Sequence, residues 1–180
     1  MFLKRLLRDQ RGVSAIEFAM IAPIMVLLYL GLAALTLVLM AERRAGHATS
    51  IVGDLVAQST SVNTATLTDI IQIGTAIVDP GVPSDLSIRI TNVQADAGGV
   101  ARVVWSVSVG AALPKLAPKN SVVAGFPAGL IAANESIVKT DLRFDYDSFI
   151  NQILPNVVHF NETYYHRPRR TEVIACADCT

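Results

Sequence analysis

The spacing of apolar positions changes three times along the chain, and each change predicts a different element. From Phe18 to Ala41 there is no charged residue over 24 positions. A helix built from that run is apolar around its whole circumference. From Ala45 to Asp79 the apolar residues recur every three or four positions, at Ile51 and Leu55 and then at Leu67, Ile70, Ile71, Gly74, Ile77 and Val78. That period predicts helix with one face on a sheet. The Ser, Thr and Asn cluster from Ser59 to Thr66 predicts a break, with Ser61 or Thr66 capping a second helix that stops before Pro80-Gly81.

From Leu86 the period falls to two. Leu86, Ile88 and Ile90 alternate with Ser87, Arg89 and Thr91, and Val103, Trp105, Val107 and Val109 alternate with Val104, Ser106 and Ser108. Asp96-Ala97-Gly98-Gly99 between them predicts a hairpin. Residues Gly110 to Gly129, with Pro114, Pro118 and Pro127, read as a long surface loop or ordered crossover. A third strand follows, with Val138, Thr140, Leu142, Phe144 and Tyr146 on one face and Lys139, Asp141, Arg143, Asp145 and Asp147 on a face expected to meet water. Ser148 to Leu154 reads as a helical turn before Pro155, and Val157 to Tyr165 as another strand. The fold class is α+β: a long N-terminal helix, a second helical segment, and an antiparallel sheet of about four strands. The expected organisation is a leader over 1–12, a membrane helix over 13–41, a helical stalk over 42–80 and an α+β domain over 81–180.

Composition sharpens this picture. The 180 residues allow one ordinary domain and a small appendage, which excludes a large multidomain enzyme. Apolar residues make up 52% and charged ones 17%, and most of the imbalance lies in the Phe18–Ala41 run. About 20 apolar residues cross a bilayer as a helix. Extended back to Val13 the helix has 29 residues, or about 43 Å, against a slab of about 30 Å. A signal peptide has a shorter apolar region and a small-x-small cleavage site, which Met40-Ala41-Glu42-Arg43 does not supply. Lys4, Arg5, Arg8 and Arg11 precede the span against Asp9 alone, while Glu42, Arg43 and Arg44 follow it. The positive-inside bias then keeps 1–12 cytoplasmic and sends the rest across the membrane.

The densest information lies in Arg11-Gly12-Val13-Ser14-Ala15-Ile16-Glu17-Phe18. A carboxylate costs about 2.5–3.5 kcal/mol at the centre of a membrane helix, and less near its edge, so Glu17 invites a search for a partner. Cleavage after Gly12 would create an α-ammonium on Val13, one helical turn from Glu17, and glycine gives a protease close access to the backbone. The ion pair, formed within one subunit or between neighbours, would set the register of assembly. The competing reading is that Glu17 snorkels to the headgroups.

These residues resemble the prepilin-like proteins, and most closely the TadE-like minor pseudopilins of the Tad (Flp) type IV pilus system. The resemblance rests on the basic leader, Gly12, Glu17-Phe18, Pro23 and the Leu/Val/Ala run, from Arg8 to about Arg44. It implies cleavage between Gly12 and Val13 by a prepilin peptidase, with Glu17 and Phe18 in recognition and assembly, and a pilin-like fold. It also implies a place in the bacterial inner membrane as a single-pass subunit with a periplasmic domain, or in the extracellular pilus in an assembly or adhesive role. Its implied partners are other pilin and pseudopilin subunits and the inner-membrane pilus platform. Many relatives carry a second acid with glycine late in the helix, where this chain has Leu35-Thr36-Leu37.

Other candidate chemistry is sparse. Cys176 and Cys179 are the only cysteines; a local disulfide ranks ahead of free or intermolecular thiols, a zinc site completed by His159 and His166, and redox catalysis. Trp105 reads as core ahead of a ligand platform. Asp145 and Asp147 read as a solvated face ahead of a calcium site. Tyr164–Arg170 reads as packing plus a protein interface, and the net charge of zero argues against nucleic acid. There is no nucleophile elbow, Walker loop, His-Glu-x-x-His or dinucleotide fingerprint, so no catalytic residue, metal ligand or cofactor is assigned. The alternatives to a pilin-like subunit are an uncleaved bitopic protein whose outer domain binds a ligand or partner, and a periplasmic redox or metal protein using the two cysteines.

Overall fold

The computed structural model describes residues 13–78, 86–116, 119–146 and 158–179. The expected stop at Asp79 to Gly81, the acid Asp147 and the helical turn over Ser148–Leu154 lie outside them. The chain divides into two compact units, Met1–Leu39 and Met40–Thr180.

Helix α1 runs Val13–Ala57, passing through Pro23. Proline removes one intrahelical hydrogen bond, a loss that membrane helices absorb by local adjustment. The Ala45–Ala57 stretch, expected to open a separate helical segment, is therefore the C-terminal part of α1. The helix ends where Ser59 N–H turns back to the Val56 carbonyl at 3.0 Å and Ser59 Oγ bonds the Leu55 carbonyl at 3.2 Å.

In the second unit, strand β1 (Ser61–Val62) leads into helix α2 (Thr64–Val78). The cap of α2 is Asn63, not Ser61 or Thr66: its Oδ1 accepts from the Thr66 amide at 2.7 Å. Strands β2 (Leu86–Ala95), β3 (Ala101–Val109), β4 (Ser136–Tyr146) and β5 (Val158–His166) form an antiparallel sheet in the order β3-β2-β4-β5. Strand β6 (Ala175–Cys176) pairs in parallel with β1. The result is an α+β fold of pilin-like layout, with a mixed strand set where only an antiparallel sheet was expected.

The hairpin turn forms as its sequence dictates. Asp96 Oδ1 accepts from the amides of Gly98 and Val100, both at 2.9 Å, and Gly99 takes a φ of +80° that side chains resist.

One face of the sheet packs against α2 and the Met40–Ala57 part of α1. The buried stripe on α1 is Ala41, Ala45, Ala48, Val52 and Val56; Ile51 and Leu55, expected to face the sheet, are only half-buried. On α2 the buried residues are Leu67, Ile70, Ile71, Gly74 and Val78. Small residues bring the layers close: a Cβ at Gly74 would lie 2.6 Å from Val52 Cγ2. Ile88, Ile90, Val138 and Leu142 complete this core.

The second face is covered too, which corrects the expectation of a solvated side. Val93, Ala95, Ala101, Val103 and Ile137 form a second core with Val123 and Ile131 from the β3–β4 connection. That connection first lies along the edge of β3, where Val103 exchanges backbone bonds with Asn120 and Ser121 at 2.8 and 2.9 Å. Most of its described residues are exposed, as expected of a surface loop, while Val123 and Ile131 turn inward to cover the sheet. Beneath this connection Asp141 is only 6% exposed. It accepts from Arg89 Nη2 at 2.9 Å, Lys139 Nζ at 2.6 Å and Thr163 Oγ1 at 2.8 Å, while Arg89 Nη1 reaches the Pro114 carbonyl at 3.0 Å. Burial alone would raise the Asp141 carboxyl, but Lys139, Thr163 and Arg89 together hold it below its ordinary value.

A bulge in β3 breaks the expected alternation. Asn92 pairs with Trp105 but Val93 pairs with Val103, so Val104 is the extra residue. Trp105 therefore shares a face with Asn92, while Val103 joins the opposite core with Val93.

Candidate functional site

The segment expected from sequence to carry assembly chemistry opens α1. Val13 is its first residue and Gly12 lies outside the described residues. Glu17 stands one turn after Val13 and is exposed, and among the described residues it takes part in no ion pair. Phe18 beside it is 72% exposed.

The exposed residues continue along α1 through Met20, Ile24, Leu28, Leu32 and Leu35 to Met40. Water penalises such a surface by about 25 cal/mol for every Å² of apolar area, so this helix requires an apolar environment around it. Its length and composition are those of a membrane span. A Cβ placed at Gly31 meets nothing within 4 Å, so the groove at this glycine is open to a neighbouring helix. Thr36 does not interrupt the apolar surface, because its Oγ1 bonds back to the Leu32 carbonyl at 2.9 Å.

The other sequence candidates lie in the second unit. Cys176 and Cys179 are joined by a disulfide. Oxidised sulfurs are not thiolate ligands, so in this state neither the cysteines with neighbouring Asp178 nor the distant His159 and His166 compose a zinc set. Trp105 is a core residue, 4% exposed, and its Nε1–H donates to the Ile174 carbonyl at 2.8 Å. Asp145 faces His159 Nδ1 at 2.7 Å and Arg143 Nε at 3.3 Å. Burial would raise its carboxyl, but His159 and Arg143 hold it lower. Its near neighbours are thus the nitrogens of His159 and Arg143, not the oxygen ligands that calcium needs.

The basic run after β5 is largely neutralised. Arg169 pairs with Asp54 of α1 and its amide donates to the Ala57 carbonyl at 2.9 Å, while Arg167 reaches Glu135 at 3.3 Å. The run ties β5 to the helix layer and leaves little free charge for a polyanion. His166 faces Gly53 across the same junction, and burial pushes its imidazole below the ordinary histidine value. Glu42, Arg43 and His47 border a shallow cleft with Glu162 and Tyr164. There burial, and then the charge of Glu42, raise the Glu162 carboxyl.

The Gly53–His166 contact, the Asn63 cap and the Asp54–Arg169 pair were not singled out from sequence. Only Asn63 carried a local signal, since it stands immediately before a helical run. The others join residues more than 100 positions apart.

Residues 12–53 match the family model described as TadE-like protein. The match covers less than a quarter of the chain, and it includes the exposed apolar part of α1 and the first residues buried in the second unit. No curated protein and no solved structure matches the chain. The family match, the α+β layout and one apolar helix of membrane-span length among the described residues support a membrane-associated, pilin-like subunit.

Proposed function

We propose that this protein is a minor pilin-like subunit of a Tad-type pilus, cut between Gly12 and Val13 by a prepilin peptidase. The observation that carries the reading is the Val13–Glu17 spacing at the head of a helix whose apolar surface is exposed and whose sequence matches the TadE-like model. In the uncut chain Glu17 enters the apolar edge without a cation supplied by the mature N-terminus. After cleavage an α-ammonium lies one turn away, on its own chain or on a neighbour's. Alignment of the two charges offsets their desolvation only when subunits stack in register. Phe18 and the apolar run exchange lipid contacts for helix contacts as the subunit enters an assembly. The domain after residue 42 lies on the periplasmic side, and the peptidase, the other pilins and the inner-membrane platform are the partners. The protein acts by assembling and not by catalysis.

The decisive measurement is the intact mass of the mature protein in cells with and without an active prepilin peptidase. A chain beginning at Val13 only when the peptidase is active supports the reading. A chain retaining Lys4 to Gly12 in both cells overturns it in favour of a permanently anchored bitopic protein.

A further inference from the structure

The C-terminal residues converge on three places at once. Strand β6 pairs with β1, Ser61 with Ala175 and Val62 with Cys176. Asp178, inside the disulfide loop, accepts from the Thr64 amide at 2.7 Å. Ile174, wholly buried, turns its carbonyl to two donors, Trp105 Nε1 at 2.8 Å and Asn92 Nδ2 at 2.9 Å.

Each contact meets a specific need. Thr64 opens α2, and the first amides of a helix have no partner within it. Asn63 satisfies the Thr66 amide and Asp178 the Thr64 amide, the latter with a carboxylate at the positive end of the helix. Trp105 and Asn92 lie side by side in the buried pairing of β3 with β2, where an unmet donor is costly. The last residues of the chain thus complete the hydrogen bonding of a helix and a sheet that precede them by 69 to 114 positions.

From this geometry we infer that the Cys176–Cys179 bond is a redox-sensitive clasp: oxidation holds Asp178 on the first turn of α2 and seats the Ile174 carbonyl over Trp105, and reduction releases both. The closed loop holds only Ala177 and Asp178 between the cysteines, so cross-linking distant chain is not its effect. What it fixes is the local path of the chain around Cys176, which directs the Asp178 carboxylate at Thr64 and anchors β6 just after Ile174. Asp178 is exposed, and released from the bond its carboxylate is free to turn into water. The cysteines are half-buried and their loop is exposed, which leaves the bond open to a small dithiol.

A dithiol thiolate attacks one sulfur of the bond and forms a mixed disulfide, displacing the other cysteine as a thiolate that takes up a proton. The second thiol of the reagent then displaces the first cysteine. Two electrons and two protons pass from the dithiol, which leaves as a disulfide, to Cys176 and Cys179. A disulfide oxidant runs the same steps in reverse.

Trp105 is the only tryptophan, so its emission reports the seat of Ile174 directly. The test uses the full chain in detergent micelles, oxidised, reduced with dithiothreitol, and as the Cys176→Ser/Cys179→Ser variant, with thiol state checked by alkylation and mass. Amide exchange is followed in α2 and, as an internal control, in β2 and β4. The expected result in both reduced and variant protein is a shift of Trp105 emission to longer wavelength. The Thr64 amide should also lose about five-fold in protection, the scale of one lost helix cap, while β2 and β4 stay protected. Asp178→Ala with the bond intact should reproduce the loss at Thr64 and leave the emission unshifted. Unchanged emission or unchanged Thr64 exchange on reduction overturns the inference. Loss of protection throughout β2 and β4 also overturns it, since the bond would then hold the whole fold.

Discussion

Gly53 of α1 faces His166 of β5 so closely that a Cβ at Gly53 would lie 2.5 Å from His166 Nδ1 and 2.9 Å from Thr140 Oγ1. The helix layer and the sheet touch there through a position without a side chain. Gly53→Ala forces a backbone shift and should cost about 2 kcal/mol. In thermal unfolding of the detergent-solubilised chain this is a fall of about 6 °C. Gly46→Ala is the contrast: its Cβ meets Tyr164 Oη at an ordinary 3.4 Å, and alanine favours the helix. That variant should keep or raise the melting temperature.

The same junction makes stability depend on pH. Burial lowers the His166 value, with Arg169 acting in the same sense and Asp54 opposing it. The unfolded chain therefore binds a proton at His166 more readily than the folded one does. The resulting stabilisation is fully present above the unfolded value of about 6.5 and is lost as pH falls through that value toward the depressed folded one. Denaturant midpoints measured from pH 8 down to pH 5 should fall less for His166→Gln than for the native chain.

Asp141 is the second pressure point. It is the common acceptor for Arg89, Lys139 and Thr163, so Asp141→Ala leaves two cations facing each other beneath the β3–β4 connection. The expected loss is about 3 kcal/mol, against about 1 kcal/mol for Thr163→Val, which removes one neutral donor. Denaturant titration with matched slopes distinguishes them.

The bulge assigns opposite faces to residues that strict alternation would place together. Val103 is 2% exposed and Val104 is half-buried, so Val103→Ala should cost about 2 kcal/mol and Val104→Ala less than about 1 kcal/mol. Equal costs for the two would contradict the burial of Val103 in the second core.

Glu17→Ala tests the register argument. Membrane insertion and cleavage after Gly12 should persist, because the apolar run and the glycine remain. Pilus assembly, counted by electron microscopy of intact cells, should be lost. Normal pili in that variant would sink the idea that the charge pair sets register.

Much of this fold is legible in the sequence. The Phe18–Ala41 run, the Asp96–Gly99 turn and the two-residue period from Leu86 are local signals, and each became the expected element. What failed was the reading of faces. Val104 adds one residue to β3 without any mark in its side chain, since valine suits both regular strand and bulge. Lys139 and Asp141 look like a solvated face because charge normally means water, yet here three partners satisfy one carboxylate under a cover drawn from a distant proline-rich segment. The parallel pairing of Ser61–Val62 with Ala175–Cys176 joins two-residue strands, too short to show any period. Glu17 and Phe18 stand out in the sequence because an acid at the head of an apolar run is anomalous wherever it occurs, and the role given to them is the proposal above.

The continuity of α1 from Val13 to Ala57 has a practical corollary for anyone seeking a water-soluble form. Anchor and core are drawn from one helix, so the place to cut is set by burial and not by the end of an element. A truncation beginning at Met40 discards the greasy surface and keeps Ala45, Ala48, Val52 and Val56, all fully buried in the second unit. A truncation at Thr64, the tidy start of the next helix, would strip a layer from the sheet and yield inclusion bodies. The same logic bounds natural variation, since mutations before Leu39 are screened by the surroundings of a helix and those after Met40 by the packing of a protein interior.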